Sequence, residues 1–278
     1  MPEITSTHNP KVKYLRALRL RKYREREGRY LIEGIRIVEE ALTTGAPVEM
    51  LVYAPGLLVS ERAKALVERA AHIERLAVSP AVFESLSVRE GPQGIAAVVR
   101  IEGRPLESIA PKPDLLAIVA YQLQDPGNLG SIIRTADAAG ASGVIVVEPS
   151  ADLYDPQTVR ATMGSLYALP IVRLGEEEAL FRWFEALRAA QPSLRVVATS
   201  AHGPALFYEA DYRGPVVLLV GNEQEGLPSA ARERADIVAK LPMFGRATSL
   251  NVSAAAAAMV YEVIRQRIAR GTNPPYGI

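Results

Sequence analysis

Five apolar runs rich in valine and isoleucine constrain the fold of this chain more than any other feature: Leu115 to Ala120, Gly143 to Val147, Arg195 to Thr199, Val216 to Val220 and Ile237 to Leu241. A strand with one solvated face alternates apolar and polar residues, whereas a strand covered on both faces has no need to. These runs do not alternate, and helical patterns separate them. The second half of the chain therefore reads as an α/β domain, a parallel sheet with helices on both faces. Its last helix is expected from about Val252 to Arg270, because Ser249 or Asn251 can cap it and the five alanines Ala254 to Ala258 favour helix. Gly271, Pro274 and Pro275 would end it.

Before this region, Tyr30 to Arg100 alternates shorter strand-like and helix-like patterns, which predicts a smaller α/β unit. Leu51-Val52-Tyr53 and Ala96 to Val99 read as strands, and Ile35 to Leu42 and Glu61 to Ala71 as helices. Ile101 to Asp114 has no periodicity and carries Pro105, Pro111 and Pro113, as a linker would. The expected organisation is an N-terminal domain over residues 1–103, a linker over 104–113 and a second domain over 114–278. A chain of 278 residues with 49% hydrophobic residues has enough apolar material for both. No run approaches the roughly 20 apolar residues that span a bilayer, and Met1-Pro2-Glu3 lacks the basic-then-apolar pattern of a secretion signal. A soluble, cytoplasmic protein is expected. The absence of cysteine excludes disulfides and thiolate metal sites, and His8, His72 and His202 are too scattered to predict a metal centre.

The net charge of +1 conceals an asymmetry. Before position 31, nine Lys and Arg residues face three acids, a local charge of +6 that leaves −5 for the remainder. Such a segment, with Tyr14, Tyr23 and Tyr30 among its cations, can neutralise phosphates and stack on bases. Lys11, Lys13, Arg21 and Arg24 are the candidate nucleic-acid contacts. An amphipathic helix docking through Leu15, Leu18 and Leu20 explains the same residues, and the two readings are compatible.

Three polar, glycine-containing loops follow predicted strands, and ligands in open α/β sheets bind at the carboxyl ends of strands. In Gln124-Asp125-Pro126-Gly127-Asn128-Leu129-Gly130-Ser131-Ile132-Ile133-Arg134, Pro126, Gly127 and Gly130 would form a tight turn with Asn128 at the start of a helix and Arg134 about two turns along it. Backbone amides there suit a phosphate and a guanidinium can grip one, although a capped helix with a surface arginine gives the same pattern. Gly221-Asn222-Glu223-Gln224-Glu225-Gly226 would let a ligand approach the backbone at Gly221, or is a plain strand-to-helix turn. The spacing fits neither G-x-G-x-x-G nor a phosphate-gripping G-x-x-x-x-G-K-[ST]. In Leu241-Pro242-Met243 through Ser249-Leu250-Asn251-Val252-Ser253, capping explains one of the three polar residues Ser249, Asn251 and Ser253 but not all of them.

In this order the three loops resemble the signature motifs of the SpoU family of RNA 2′-O-ribose methyltransferases, within the SPOUT superfamily. Asn128 and Arg134 match the first motif, Gly221-Asn222-Glu223-x-x-Gly226 the second, and Leu241-Pro242-Met243 through Ser253 the third. Ser6-x-x-Asn9-Pro10, Leu31-Ile32-Glu33-Gly34 and Gly91-Pro92-Gln93-Gly94 resemble, more weakly, the substrate-binding domain that many members carry. The resemblance implies a sheet whose C-terminal part is threaded into a trefoil knot, a homodimer, and S-adenosyl-L-methionine held by backbone groups of Gly221, Leu241 and Leu250. It also implies that Asn128 and Arg134 serve a cofactor bound to the partner subunit. Where the family often has Ser-Ala-Gly this chain has Thr162-Met163-Gly164, to which no role is assigned.

The chemistry so implied is methyl transfer to a ribose 2′-hydroxyl. The sulfonium methyl is already activated, so the protein must align the reactants and manage charge. Arg134 is the leading catalytic candidate; it stays protonated and would stabilise the forming alkoxide, with Glu223, Ser249 and Asn251 orienting the reacting groups and Asn128 shaping the loop. Structured RNA is the expected substrate, ribosomal RNA ahead of transfer RNA because the extra domain resembles ribosomal-protein-like readers. A non-catalytic RNA-binding protein is the alternative of another class, and a nicotinamide- or nucleotide-dependent enzyme lacks its glycine fingerprint.

Overall fold

The computed structural model describes residues 3–269. Arg270, Gly271, Pro274 and Pro275, expected to close the last helix, lie outside the described residues. The chain divides into two compact units, one of residues 1–102 with Asp152–Ala168 and one of Gly103–Ala151 with Leu169–Ile278. The placement of Asp152–Ala168 differs from the sequence reading, which kept everything after residue 113 together.

In the first unit α1 (Pro10–Ala17), α2 (Arg21–Glu27), β1 (Arg29–Glu33), α3 (Ile35–Thr43), β2 (Val48–Tyr53), α4 (Glu61–Arg69), β3 (Glu74–Ala77), α5 (Pro80–Leu86) and β4 (Ile95–Arg100) follow in order. The strands form one sheet, β1-β4-β2-β3, parallel only between β2 and β3. β1 and β3 are short and rich in charged residues, which hides them from an apolar-run reading. The three weakly matching motifs build this unit. Asn9 caps α1 through the Lys11 amide with Pro10 in its first turn, and the Gln93 side chain accepts the orphan amide of Ile35 at the start of α3. Glu33 accepts hydrogen bonds from Ser87 Oγ and the Val88 amide.

The basic N-terminal segment is partly structural. Val12, Leu15 and Leu18 are buried against β2–β4 and α5, whereas Leu20 is exposed. Arg24 corrects the sequence reading: only 2% exposed, it donates to the carbonyls of Leu18 and Arg19 and pairs with Asp152 at 2.6 Å. A cation so enclosed, flanked by Asp152 and by Asp155 at 3.6 Å, is not open to a phosphate, and its work is to hold the Asp152–Ala168 segment, which contains α7 (Pro156–Thr162). Thr162-Met163-Gly164 ends that helix, with Met163 and Gly164 both left-handed.

The second unit contains β5 (Leu116–Tyr121), α6 (Pro126–Ala138), β6 (Gly143–Val147), β7 (Ile171–Leu174), α8 (Glu177–Ala190), β8 (Arg195–Thr199), β9 (Ala205–Leu206), β10 (Val216–Val220), α9 (Ser229–Glu233), β11 (Ile237–Lys240) and α10 (Val252–Ala269). Its seven strands, ordered β7-β6-β5-β10-β8-β11-β9, are all parallel. All five apolar runs are strands; β7 and β9 are additional edge elements, of four and two residues. Along β5, Ala117, Val119 and Tyr121 pack with Leu180, Trp183, Phe184 and Leu187 of α8, while α6 and α10 pack together and against β5, β6 and β10. Both sheet faces are covered, which is why the strands need no alternation.

Candidate functional site

α6 begins two residues earlier than the polar cluster suggests. Asp125 is its cap, accepting from the Asn128 amide at 2.7 Å, so Pro126, Gly127 and Gly130 lie inside the helix instead of forming a turn. The sharp change of direction after β5 falls on Gln122, a non-glycine residue at φ +53°. Its carbonyl accepts from the side chains of Gln124 and Asn222, contacts that stabilise a conformation ordinarily unfavourable for an L-residue. Because Asp125 supplies the cap, the Asn128 side chain is left to reach elsewhere.

It joins the other two loops. Asn128 Nδ2 donates to Glu223 Oε1 at 3.0 Å, and Asn251 Nδ2 donates to Asn128 Oδ1 at 3.0 Å. The Gln124 amide donates to the second Glu223 oxygen at 3.2 Å. One chain of hydrogen bonds thus links three loops, Asn128 lying 95 residues before Glu223 and 123 before Asn251. The middle loop closes on itself through Asn222–Gly226 backbone bonds, and Asn222 Oδ1 accepts the amides of Gln224 and Glu225. Asn251 is the cap of α10: its Oδ1 accepts from the amides of Ser253 and Ala254 and from Ser253 Oγ. Capping therefore accounts for Asn251 and Ser253, and Ser249 is left over.

Ser249 lines a cavity of about 610 Å³, together with Gly221, Glu223, Leu241, Leu250 and Asn251. It opens at the carboxyl ends of β8, β10 and β11, where an α/β sheet binds its ligand. The sequence reading missed Thr199, Ser200, Ala201 and His202 after β8, and also Arg232 and Met259, while Met243 and Thr248 fall within its third loop but were given no individual role. The first four were findable, since they follow a recognised strand by the rule that selected the other loops; Arg232 and Met259 lie within helices and carry no local signal. Asn128 meets the cavity only through Glu223 and Asn251, and Arg134 does not line it. Arg134 is exposed on α6 and makes no ion pair or hydrogen bond among the described residues.

Glu223 is held ionised. Burial pushes its carboxyl up, but the hydrogen bonds from Asn128 and from the amides of Glu223, Gln124 and Asp125 outweigh this and bring it below the ordinary carboxylate range. A lowered folded-state pKa contributes stability that is complete above the unfolded value and is lost as pH falls through the folded one. Glu223→Gln is therefore expected to flatten the fall of melting temperature below about pH 5. Parallel melting curves for variant and parent from neutral to acid pH would show that the carboxylate is not so held.

The cavity suits a nucleoside joined to an amino acid. Its volume falls within the ~300–1,000 Å³ of small-molecule sites. Val220, Leu227, Met243, Leu250 and Met259 offer an apolar wall for a purine, Thr248, Ser249 and Asn251 offer hydroxyl and amide groups for a ribose, and Arg232 offers a cation for a carboxylate. Among the described residues no group of three or more His, Asp or Glu side chains could hold a metal. Nor is any helix of the described residues long and apolar enough to cross a membrane.

A parallel sheet whose strand-end loops converge on such a cavity defines an α/β protein that binds a nucleotide-like ligand. The chain belongs to the SpoU rRNA methylase family, whose model matches residues 115–261, and an MRM3-like substrate-binding domain matches residues 9–97. It is 39% identical over 91% of its length to a 23S rRNA (uridine(2479)-2′-O)-methyltransferase of Streptomyces viridochromogenes, of which it covers 88%. It is 35% identical to the Bacillus subtilis 23S rRNA (guanosine(2553)-2′-O)-methyltransferase RlmP, over 95% of this chain and 99% of the relative. Among solved structures, the SpoU methyltransferase AviRb from Streptomyces viridochromogenes in complex with AdoMet superposes with a TM-score of 0.86 at 38% identity, covering 94% of this chain and all of that one.

Proposed function

We infer that this protein transfers a methyl group from S-adenosyl-L-methionine to a ribose 2′-hydroxyl of ribosomal RNA of the 23S type. The observation that carries the reading is the cavity at the strand ends, lined by the second and third motif loops and tied to the first through Asn128. The bound cofactor supplies a sulfonium methyl that needs no further activation. Backbone groups of Gly221, Leu241 and Leu250 hold it. Glu223, fixed by Asn128, and Asn251, fixed at the cap of α10, keep the surrounding loops in place before any ligand arrives, and Ser249 presents a hydroxyl to the reacting groups.

Arg134 stabilises the negative charge developing on the 2′ oxygen, since a guanidinium stays protonated. Its exposure and lack of side-chain partners among the described residues, together with its absence from the lining of its own cavity, support a homodimer in which it serves the cavity of the second copy. The C-terminal strands and loops, in this reading, are threaded as the trefoil knot of SPOUT proteins, and the enzyme acts in the cytoplasm. Residues 1–103 grip the RNA, with Lys11, Lys13 and Arg21 available at the surface, while residues 114–278 carry the methyl transfer across the 104–113 linker. Lys11 and Arg21 are paired with Glu74 and Glu25 in exposed ion pairs that phosphates can replace.

The test is a calorimetric titration with S-adenosyl-L-methionine, joined to mass-spectrometric mapping of ribose methylation in total RNA from cells with and without the gene. Binding, and loss of one 2′-O-methyl group in 23S rRNA, is the expected result. An unchanged methylation map would overturn the assignment.

A further inference from the structure

The first unit contains a second cleft, of about 330 Å³, lined by Arg19, Val88, Asp155, Pro156, Gln157 and Arg160. A narrower extension shares Arg19, Val88, Pro156 and Arg160 and adds Arg89 and Glu33. Three segments distant in sequence meet here: the turn between α1 and α2, the loop after α5, and α7 from the Asp152–Ala168 segment.

The charges in this cleft are unbalanced. Several arginines of the unit, among them Arg21, Arg24, Arg26, Arg29, Arg62 and Arg100, pair with a carboxylate, whereas the guanidiniums of Arg19, Arg89 and Arg160 make no ion pair among the described residues. The two acids in the cleft are engaged by other groups. Glu33 accepts from Ser87 and Val88, while Asp155 accepts the Gln157 amide at the start of α7 and lies 3.6 Å from Arg24. Three guanidiniums against two carboxylates leave an excess of positive charge in one concavity, which an anion would offset. Guanidiniums suit phosphate oxygens because their planar forks bind two at once. Beside them, Pro156 and the half-exposed Val88 form an apolar wall against which a ribose or unstacked base can lie.

We propose that the Arg19–Arg89–Arg160 cleft is an RNA-binding site that takes backbone phosphates of the substrate, with a neighbouring nucleotide against Val88 and Pro156. This rests on the RNA methyltransferase reading and moves the principal grip from the outer face of the basic helices to a cleft completed by α7.

The test is to measure binding of a 23S rRNA fragment containing the methylated nucleotide, over a series of salt concentrations, for the parent, for Arg19→Gln/Arg89→Gln/Arg160→Gln and for the single charge reversal Arg89→Glu. Arg89 is exposed on a loop, so its reversal keeps the question answerable should the triple variant not fold. Loss of a phosphate contact lowers the slope of log affinity against log salt by roughly one. The triple variant should lose about three units of slope and at least about tenfold in affinity for each arginine, and Arg89→Glu at least tenfold, with S-adenosyl-L-methionine affinity unchanged in both. If the parent binds and methylates RNA while the variants keep its affinity and salt slope, the cleft is not the site and the enzymatic reading stands. If the parent binds no RNA, the cleft and the enzymatic reading fail together.

Discussion

Arg134→Ala is expected to lower methyl transfer by roughly 10²–10³-fold or more while leaving the affinity for S-adenosyl-L-methionine unchanged. The two effects separate because the cavity is built without Arg134, which neither lines it nor bonds to any residue that does. Removal should therefore leave the strand-end loops and their hydrogen bonds as they are, and only the stabilisation of charge on the attacking oxygen is lost. Single-turnover kinetics with saturating cofactor and RNA give the first quantity and calorimetry the second. Turnover within about threefold of the parent would remove Arg134 from the chemistry. A loss of cofactor affinity equal to the loss of rate would make it a cofactor ligand instead.

Gly221→Ala should have the opposite signature, losing cofactor binding first. A Cβ at this position would stand 2.4 Å from the carbonyl carbon of Gly226 and 2.6 Å from the amide of Leu227. Both neighbours are backbone, held by the paired Asn222–Gly226 hydrogen bonds, so neither can rotate away as a side chain would. The turn must open, displacing Gly221 and Glu223 from the cavity wall. We expect tenfold or greater loss of S-adenosyl-L-methionine affinity and about 1–3 kcal/mol of stability, read from calorimetry and from denaturant unfolding. Parental cofactor affinity in this variant would show that the closed turn is not what shapes the site. Mixing the Gly221→Ala and Arg134→Ala chains tests the dimer as well. If each cavity uses its partner's arginine, a mixed dimer has one intact site, and a re-equilibrated equal mixture recovers about a quarter of parental activity. No recovery would place both residues in one subunit's site.

The elements easiest to read in the sequence were those whose stabilisation is local or whose burial is complete. β6, β8 and β10 match their apolar runs residue for residue because a strand covered on both faces is apolar along its buried length. α10 begins where Asn251 offers a side-chain acceptor to two amides. β1, β3 and β9 were missed because their stabilisation comes from pairing with distant strands. Gln122 could not have been foreseen as the turning residue. Its positive φ is maintained by contacts with residues as far away as Asn222, and no propensity points to a glutamine there.

The site divides in the same way. Which loops line the cavity was legible from two of three short motifs, because glycines, hydroxyls and amides stand out in loops at strand ends, and the chemical roles proposed for their residues rest on those motifs. The partnership Glu223–Asn128–Asn251, the capping of α6 by Asp125 and the burial of Arg24 were not legible, for they depend on which side chains meet after the chain has folded. The same holds for the N-terminal charge. The sequence determined that the first thirty residues are strongly basic; tertiary structure alone decided that Arg24 is spent on Asp152 while Arg19 lines a cleft with Arg89 and Arg160 and makes no ion pair among the described residues. Composition sets how many charges a surface must carry, but only packing, which sets the distance between them and their access to water, decides which remain unpaired to bind a ligand.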